Sequence, residues 1–267
     1  MTTTTRMPVY FVSHGGGPCF FMDWNPPDTW TSLGNWLRGI GGEISARPTA
    51  IIVVSAHWEA DDFSVTGAAQ PSLIYDYHGF PPHTYQLQYP APGAPTLAQQ
   101  IVERLRAAGL PSQRDDARGW DHGVFVPLML MFPDADIPVV QLSLRRGLDA
   151  AEHLAAGAAL AGLRDEGVLI VGSGYSYHNM RGYGGAGERA AAEFDGWLQT
   201  TITATAPAQR AAALRRWEDA PSARAAHPRE EHLLPLMVAA GAAGDSAGTC
   251  VYTDRVWNIA TSGFRFG

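Results

Sequence analysis

The chain has 267 residues and a formal net charge of −7 at pH 7, with 46% hydrophobic and 17% charged residues. This length suits one large α/β domain or two small ones with a sizeable core. The acidic balance argues against a nucleic-acid-binding surface, which requires clustered Lys and Arg. Cys19 and Cys250 lie far apart in sequence, which favours a reducing cytoplasm over a disulfide framework.

The sequence predicts neither a signal peptide nor a membrane segment. Residues 1–7 contain no apolar stretch like that of a secretory signal. No run approaches the ~20 apolar residues of a membrane-spanning helix. We therefore expect no nucleic-acid or membrane partner. For the assembly we expect a monomer or small homo-oligomer.

Strands and helices are predicted to alternate along the chain. Short apolar runs rich in Val, Ile and Leu predict strands at 8–13, 51–56, 138–144 and 167–172. Helical spacing and helix-stop residues predict helices at 94–108, 149–163, 186–203, 207–217 and 229–241. This alternation predicts a single α/β domain over 1–267, with a mostly parallel or mixed sheet covered by helices on both faces.

Residues 59–93 interrupt this pattern, because they are rich in Pro, Tyr and His and show little helical periodicity. A long loop without secondary structure is uncommon unless it has a function. We expect an excursion, with a hairpin around 84–89, that forms part of a pocket wall.

Two predicted strands end alike, with a serine and a histidine. His14 follows the first strand and is followed by three glycines, and His57 follows the second. Ligands of open α/β sheets bind beyond the carboxyl ends of strands, so these histidines can meet at a metal site. Each can instead be a hydrogen-bonded structural residue. His178 follows the strand at 167–172 and suits an acid/base, a fourth ligand or a structural residue.

The remaining histidines lie in other contexts. His122 precedes an apolar run, where it can contact substrate or oxygen, or belong to a helix-entry turn with Asp121 as N-cap. His153 is predicted on a helix surface. His78 and His83 fall in the Pro-rich excursion, where hydrogen-bonded loop histidines are the simplest interpretation.

Several motifs occur in a fixed order along almost the whole chain. They are Ser13-His14-Gly15-Gly16-Gly17-Pro18, Ser55-Ala56-His57-Trp58, the run from Tyr75 to Pro81, the run from Tyr89 to Gly93, Asp121-His122-Gly123, the run from Gly172 to Asn179, His227-Pro228 and Glu231-His232. This ordered set resembles the class III, LigB-type extradiol ring-cleaving dioxygenases, and within them the 4,5-DOPA dioxygenase branch.

The resemblance implies a metal site of three neutral imidazoles. His14 and His57 match two ligands, and His232 occupies the position where larger LigB-like relatives carry a glutamate. Fe(II) is the implied working metal, and a three-His site would also take up Zn(II) in purified protein. The resemblance makes His178 the acid/base residue, and Glu231 is expected on the helix surface or behind the ligands.

The implied reaction inserts both atoms of O2 into a substituted catechol, such as DOPA, caffeate or a protocatechuate-like acid, and gives a muconic semialdehyde. His122 is then expected to contact substrate or O2. The expected substrate-binding residues are Trp58, Tyr77, Asn179 and His227. Two alternatives remain open at this point: a zinc-dependent hydrolase with a histidine base, and a non-enzymatic metal-binding member of the same fold.

Overall fold

A computed structural model describes residues 6–267. Its centre is an eight-stranded mixed sheet with the order β4-β3-β5-β2-β6-β1-β8-β7. The strands are β1 Val9–Ser13, β2 Ala50–Ala60, β3 Phe63–Thr66, β4 Ser112–Asp115, β5 Val139–Arg145, β6 Val168–Gly174, β7 Gly248–Val256 and β8 Ile259–Phe266. The central strands β5, β2, β6 and β1 are parallel, whereas β3 and β8 run antiparallel to their inner neighbours.

Helices cover both faces of this sheet. They are α1 Thr31–Glu43, α2 Pro95–Ala107, α3 His122–Met131, α4 Ala150–Leu160, α5 Glu188–Thr203, α6 Pro207–Arg215, α7 Ala223–Ala226 and α8 Leu234–Ala243. Alternate residues of a strand face opposite sides, so Ile52 of β2 joins the core under α2, α4, α5 and α8, while Ile51 joins the core under α1 and α3. The predicted single α/β domain with helices on both faces is confirmed.

The four predicted strands correspond to β1, β2, β5 and β6, and β2 continues to Ala60. The other strands escaped prediction because their sequences carry a weak pattern. β4 is short and polar, and β8 contains Thr261, Ser262 and Gly263 where a buried strand usually carries large apolar residues. The helix expected from residue 229 begins only at Leu234.

Three local predictions were wrong. In place of the hairpin expected at 84–89, the structure has a 3₁₀ helix at Pro82–Gln86. The irregular excursion expected from residue 59 starts only after Thr66, because the chain before it forms the end of β2 and all of β3. His153 is fully buried, not on the helix surface. Its Nδ1 donates to the Asp149 carbonyl and its Nε2 accepts from the Arg145 backbone N–H, so both ring nitrogens are satisfied inside the protein.

No helix among the described residues is long and apolar enough to cross a membrane. The prediction that residues 1–7 form no signal peptide lies mostly outside the described residues, which begin at Arg6.

The sheet order brings together the carboxyl ends of β1, β2 and β6, near which His14, His57 and His178 were predicted to lie. β6 lies between β2 and β1 and is parallel to both, with Ser173 paired to Ser55 on one side and Gly174 paired to Ser13 on the other. The carboxyl ends of the three strands therefore form one edge. A Cβ on Gly174 would lie 2.1 Å from the His232 carbonyl oxygen, so glycine is required for the segment before α8 to cross this edge.

Candidate active site

Three histidines from separate parts of the chain converge at this edge. His14 directly follows β1, His57 lies near the end of β2, and His232 lies just before α8. One imidazole nitrogen from each lies within 4.8 Å of those of the other two. The Nε2 atoms of His14 and His57 are 3.0 Å apart. The fold thus assembles the three predicted metal ligands.

Hydrogen bonds on the far side of these rings set their tautomers. His14 Nδ1 lies 3.1 Å from the Ser173 hydroxyl, which itself donates to a backbone carbonyl, so Nδ1 of His14 carries the proton. His232 Nδ1 donates to Glu231 over 2.9 Å. The Nε2 atoms of both rings then keep their lone pairs. A neutral imidazole nitrogen with a free lone pair is a good metal ligand, so the donor set fits a metal ion.

The ring environment also favours the neutral form that binds metals. Burial lowers the pKa of His14 and His57 well below the usual range for histidine, and the neighbouring imidazoles lower it further. Burial likewise lowers the pKa of His232 to about 4, although Glu231 acts in the opposite direction. At neutral pH all three are uncharged, and metal binding displaces no proton.

Glu231 connects the ligand set to the predicted acid/base residue. Its Oε1 accepts one hydrogen bond from His232 Nδ1 and another, of 3.1 Å, from His178 Nδ1. The rings of His178 and His232 stack with centroids 3.4 Å apart. Burial alone would raise the pKa of Glu231, but these hydrogen bonds outweigh it and hold the pKa well below its usual range. Glu231 is therefore an ionised carboxylate that orients the rings of His178 and His232.

Asp76 has a similar position on the other side of the cluster. Its Oδ1 accepts from His122 Nδ1 over 2.7 Å and from the His122 backbone N–H, and its Oδ2 lies 3.8 Å from His57 Nδ1. The centroids of the His57 and His122 rings are 4.0 Å apart. Asp76 and Glu231 thus each link a predicted metal ligand to a predicted catalytic histidine. Asp76 lies in the motif that runs from Tyr75 to Pro81, but no feature of that motif distinguishes Asp76 as a functional residue.

Among residues 6–267, two other groups have ligand atoms close enough for a metal, and each contains one of these carboxylates. One is His57, Asp76 and His122, and the other is His178, Glu231 and His232. In both, the carboxylate already accepts hydrogen bonds from imidazole, which leaves the three-histidine group as the better site.

Asp121 holds the segment that carries His122. Its buried carboxylate caps α3 by accepting from the Gly123 backbone N–H, as the predicted N-cap requires, and it also accepts from the Ser55 hydroxyl and the Gln141 amide. Burial raises the pKa of Asp121. These contacts tie the start of α3 to β2 and β5, which fixes His122 beside the three predicted ligand histidines.

The histidine cluster forms one end of a cavity of about 300 Å³. The other walls are mainly aromatic and apolar. Besides the five histidines of the cluster, the lining consists of Gly15, Gly16, Gly17, Trp24, Trp30, Phe80, Tyr175, Met180, Tyr183 and Trp257. Sequence reasoning had not selected Trp30, Met180, Tyr183 or Trp257, because they come from segments distant in sequence.

The family model described as the catalytic LigB subunit of aromatic ring-opening dioxygenase matches residues 8–263. The chain belongs to the LigB family. It is 44% identical over 243 residues to a 4,5-DOPA dioxygenase extradiol of Beta vulgaris, which covers 89% of this chain and 87% of the relative. It is 40% identical to the dioxygenase tasH of Hapsidospora irregularis, over 96% of this chain and 85% of the relative.

A solved structure has the same fold. The crystal structure of an uncharacterised Escherichia coli K12 protein superposes with a TM-score of 0.78 at 33% identity, over 98% of this chain and 100% of the other. This LigB protein is therefore an extradiol aromatic ring-opening dioxygenase, as the motif resemblance predicted.

The structure does not bring His227 to the cavity of this LigB enzyme. Its side chain is fully buried between Phe194 and Trp217, and its Nε2 donates to the Ser176 carbonyl. Burial lowers its pKa to about 3. His227 is thus a neutral core residue behind the site. Although it is close to His232 in sequence, it packs among aromatic rings and does not face the cavity.

The other three predicted substrate contacts also lie outside the cavity lining. Asn179 donates its side-chain amide to the Ala225 carbonyl, which ties the chain after β6 to α7. Trp58 is buried, with the Arg118 guanidinium 4.7 Å from the centre of its ring. Tyr77 is buried and donates its hydroxyl to a backbone carbonyl of the 3₁₀ helix.

Proposed function

We propose that this enzyme cleaves the ring of a substituted catechol with O2, at an Fe(II) site formed by His14, His57 and His232, and yields a muconic semialdehyde. The observation that carries the proposal is the convergence of three neutral imidazoles at the end of an aromatic cavity. An iron bound there supplies open coordination positions for the catechol oxygens and O2, together with redox activity. The same donors suit Zn(II), which has no redox chemistry, so purified protein is expected to carry some zinc.

His178 is assigned the acid/base role. Because its Nδ1–H donates to Glu231, its Nε2 keeps the lone pair needed to accept a proton from a catechol hydroxyl. Its stacking on His232 keeps it beside the metal ligands, and it lines the cavity. The proton taken when the diol binds can be returned when the ring opens.

His122 is assigned a contact with substrate or O2 from the opposite side. Asp76 orients the ring by accepting a hydrogen bond from Nδ1, which leaves Nε2 available to an oxygen of the substrate or of O2. The aromatic walls match a flat phenolic ring and keep water from the reacting atoms. We propose that the partners are a catechol and O2. We also propose that the protein is a cytoplasmic monomer or small homo-oligomer.

The test is anaerobic reconstitution with Fe(II), followed by oxygen uptake with DOPA, dopamine, caffeate, protocatechuate and alkylcatechols. We expect one O2 consumed per catechol, label from ¹⁸O2 in the product, and a yellow ring-opened semialdehyde. Turnover without O2, or full activity with zinc alone, would contradict the proposal.

Metal content of single variants tests the ligand set. His14→Ala, His57→Ala and His232→Ala should lose bound metal, whereas His227→Ala removes a histidine that lies behind the site and should retain it. Full occupancy in His232→Ala, or loss in His227→Ala, would show that the ligands are assigned incorrectly.

A further inference from the structure

Three tryptophans form one wall of the cavity that holds the histidine cluster. The ring centroids of Trp24, Trp30 and Trp257 lie 5.6–5.8 Å from one another. Met180 and Trp257 are the exposed large hydrophobic side chains of residues 6–267, at 69% and 38% exposure, and both line this cavity. Exposed apolar side chains gathered at one opening mark a surface that binds an apolar group.

No lysine, arginine, aspartate or glutamate of the described chain lines this cavity. The nearby guanidinium groups are engaged elsewhere. Arg118 lies over Trp58, and Arg229 forms ion pairs with Glu59 and Glu231. A carboxylate on the substrate would therefore lose hydration in the cavity without gaining a cationic partner, which is unfavourable.

The backbone at Trp257 is unusual for so large a residue. Trp257 and Asn258 form the two-residue turn between β7 and β8, with φ of +47° and +66°. Such turns favour Asn, Asp and Gly at both positions, because a Cβ is strained in the left-handed region. A bulky residue that is kept in this region indicates a functional constraint. Here the turn places the indole against Trp24 and Tyr183, at the cavity wall.

We propose that Trp257, together with Trp24 and Trp30, determines specificity for catechols whose ring substituent is short and carries no carboxylate. This rests on the proposed catechol cleavage. An apolar substituent gains by contact with the indoles, and a carboxylate is disfavoured because the lining offers it no cationic partner. The cavity of about 300 Å³ is at the small end of the range for ligand sites, which fits a single ring with a short substituent.

The first test compares matched substrates of the iron-loaded enzyme. 4-Propylcatechol and the methyl ester of 3,4-dihydroxyphenylpropionate are neutral, whereas the free acid carries a carboxylate. We expect kcat/KM by oxygen uptake to be about tenfold or more higher for the neutral compounds. Dissociation constants from anaerobic titration, followed by tryptophan fluorescence, should rank in the same order. A free acid that equals or exceeds the neutral compounds in both measurements would overturn the inference.

The second test places a cation at the wall. Trp257→Lys should raise kcat/KM for the free acid relative to its methyl ester, whereas Thr253→Lys adds the same charge to an exposed position of the same hairpin and should not. Equal ratios in both variants, with folding verified by circular dichroism, would exclude Trp257 as the determinant. Should no catechol of the panel consume oxygen, the proposed function itself fails and the inference with it. Oxygen uptake without preference for neutral compounds overturns the inference alone.

Discussion

Replacing Glu231 with glutamine should weaken both metal binding and turnover. In the native site one carboxylate oxygen accepts from His178 and His232, and the other faces Arg229 at 3.4 Å. The glutamine amide has one acceptor end and one donor end. Whichever way it is turned, its NH2 group meets either the two imidazole N–H groups or the guanidinium of Arg229, and both arrangements are unfavourable.

The size of the effect follows from these contacts. A hydrogen bond to a charged group contributes about 1.5–3 kcal/mol, and loss of the carboxylate behind a ligand histidine costs about 10- to 100-fold in metal affinity. We therefore expect the metal dissociation constant to rise about 10- to 100-fold. At saturating Fe(II), kcat should still fall, because His178 loses its orientation. This loss should be smaller than the ~10²- to 10⁴-fold expected from removing the base itself.

The assay is Fe(II) titration of the metal-free enzyme, combined with steady-state oxygen uptake at saturating Fe(II). Glu230→Gln is the matched control, because Glu230 is adjacent in sequence but pairs with Arg224 and contacts no histidine. The reasoning would be refuted by unchanged affinity and kcat in Glu231→Gln, or by an equal loss in the control.

Three further predictions concern single positions. His178→Ala should retain iron and lose turnover by about 10²- to 10⁴-fold; loss of iron by metal analysis would make His178 a ligand instead. The pKa of His232 is lowered to about 4 in the folded state. The unfolded chain therefore binds this proton first, and the metal-free protein should lose about 3 kcal/mol of stability as the pH falls from ~6.5 through 4. Thermal unfolding measured across this pH range should show the loss in the native protein and not in His232→Gln. An equal dependence of stability on pH in the two proteins would contradict the prediction. Gly172→Ala would place a Cβ 2.3 Å from the Pro235 carbonyl oxygen and should cost about 1–3 kcal/mol in urea unfolding. Gly196→Ala meets open space within α5 and should instead be neutral or stabilising by about 1 kcal/mol; similar values for the two variants would refute the packing argument.

The sequence by itself determined the central strands, most helices and two of the proposed metal ligands. Apolar runs and helical spacing are local signals, so β1, β2, β5 and β6 could be located without the structure. Parallel strands end at a common edge, and this placed His14 and His57 together. His232 and His178 needed the motif resemblance as well, because nothing local distinguishes them from other loop histidines.

Tertiary structure decided which side chains meet around that edge. The order β2-β6-β1 and the glycines of β6 bring the segment before α8 over the strand ends, and this alone joins Glu231 to two imidazoles. The same packing buries His153 and His227, which sequence reasoning had placed on a surface and at the substrate. It also brings Trp24 and Trp257 into one wall from opposite ends of the chain. Such contacts depend on strand order and layer packing, which have no short-range sequence period, whereas strands and helices repeat every two and about 3.6 residues.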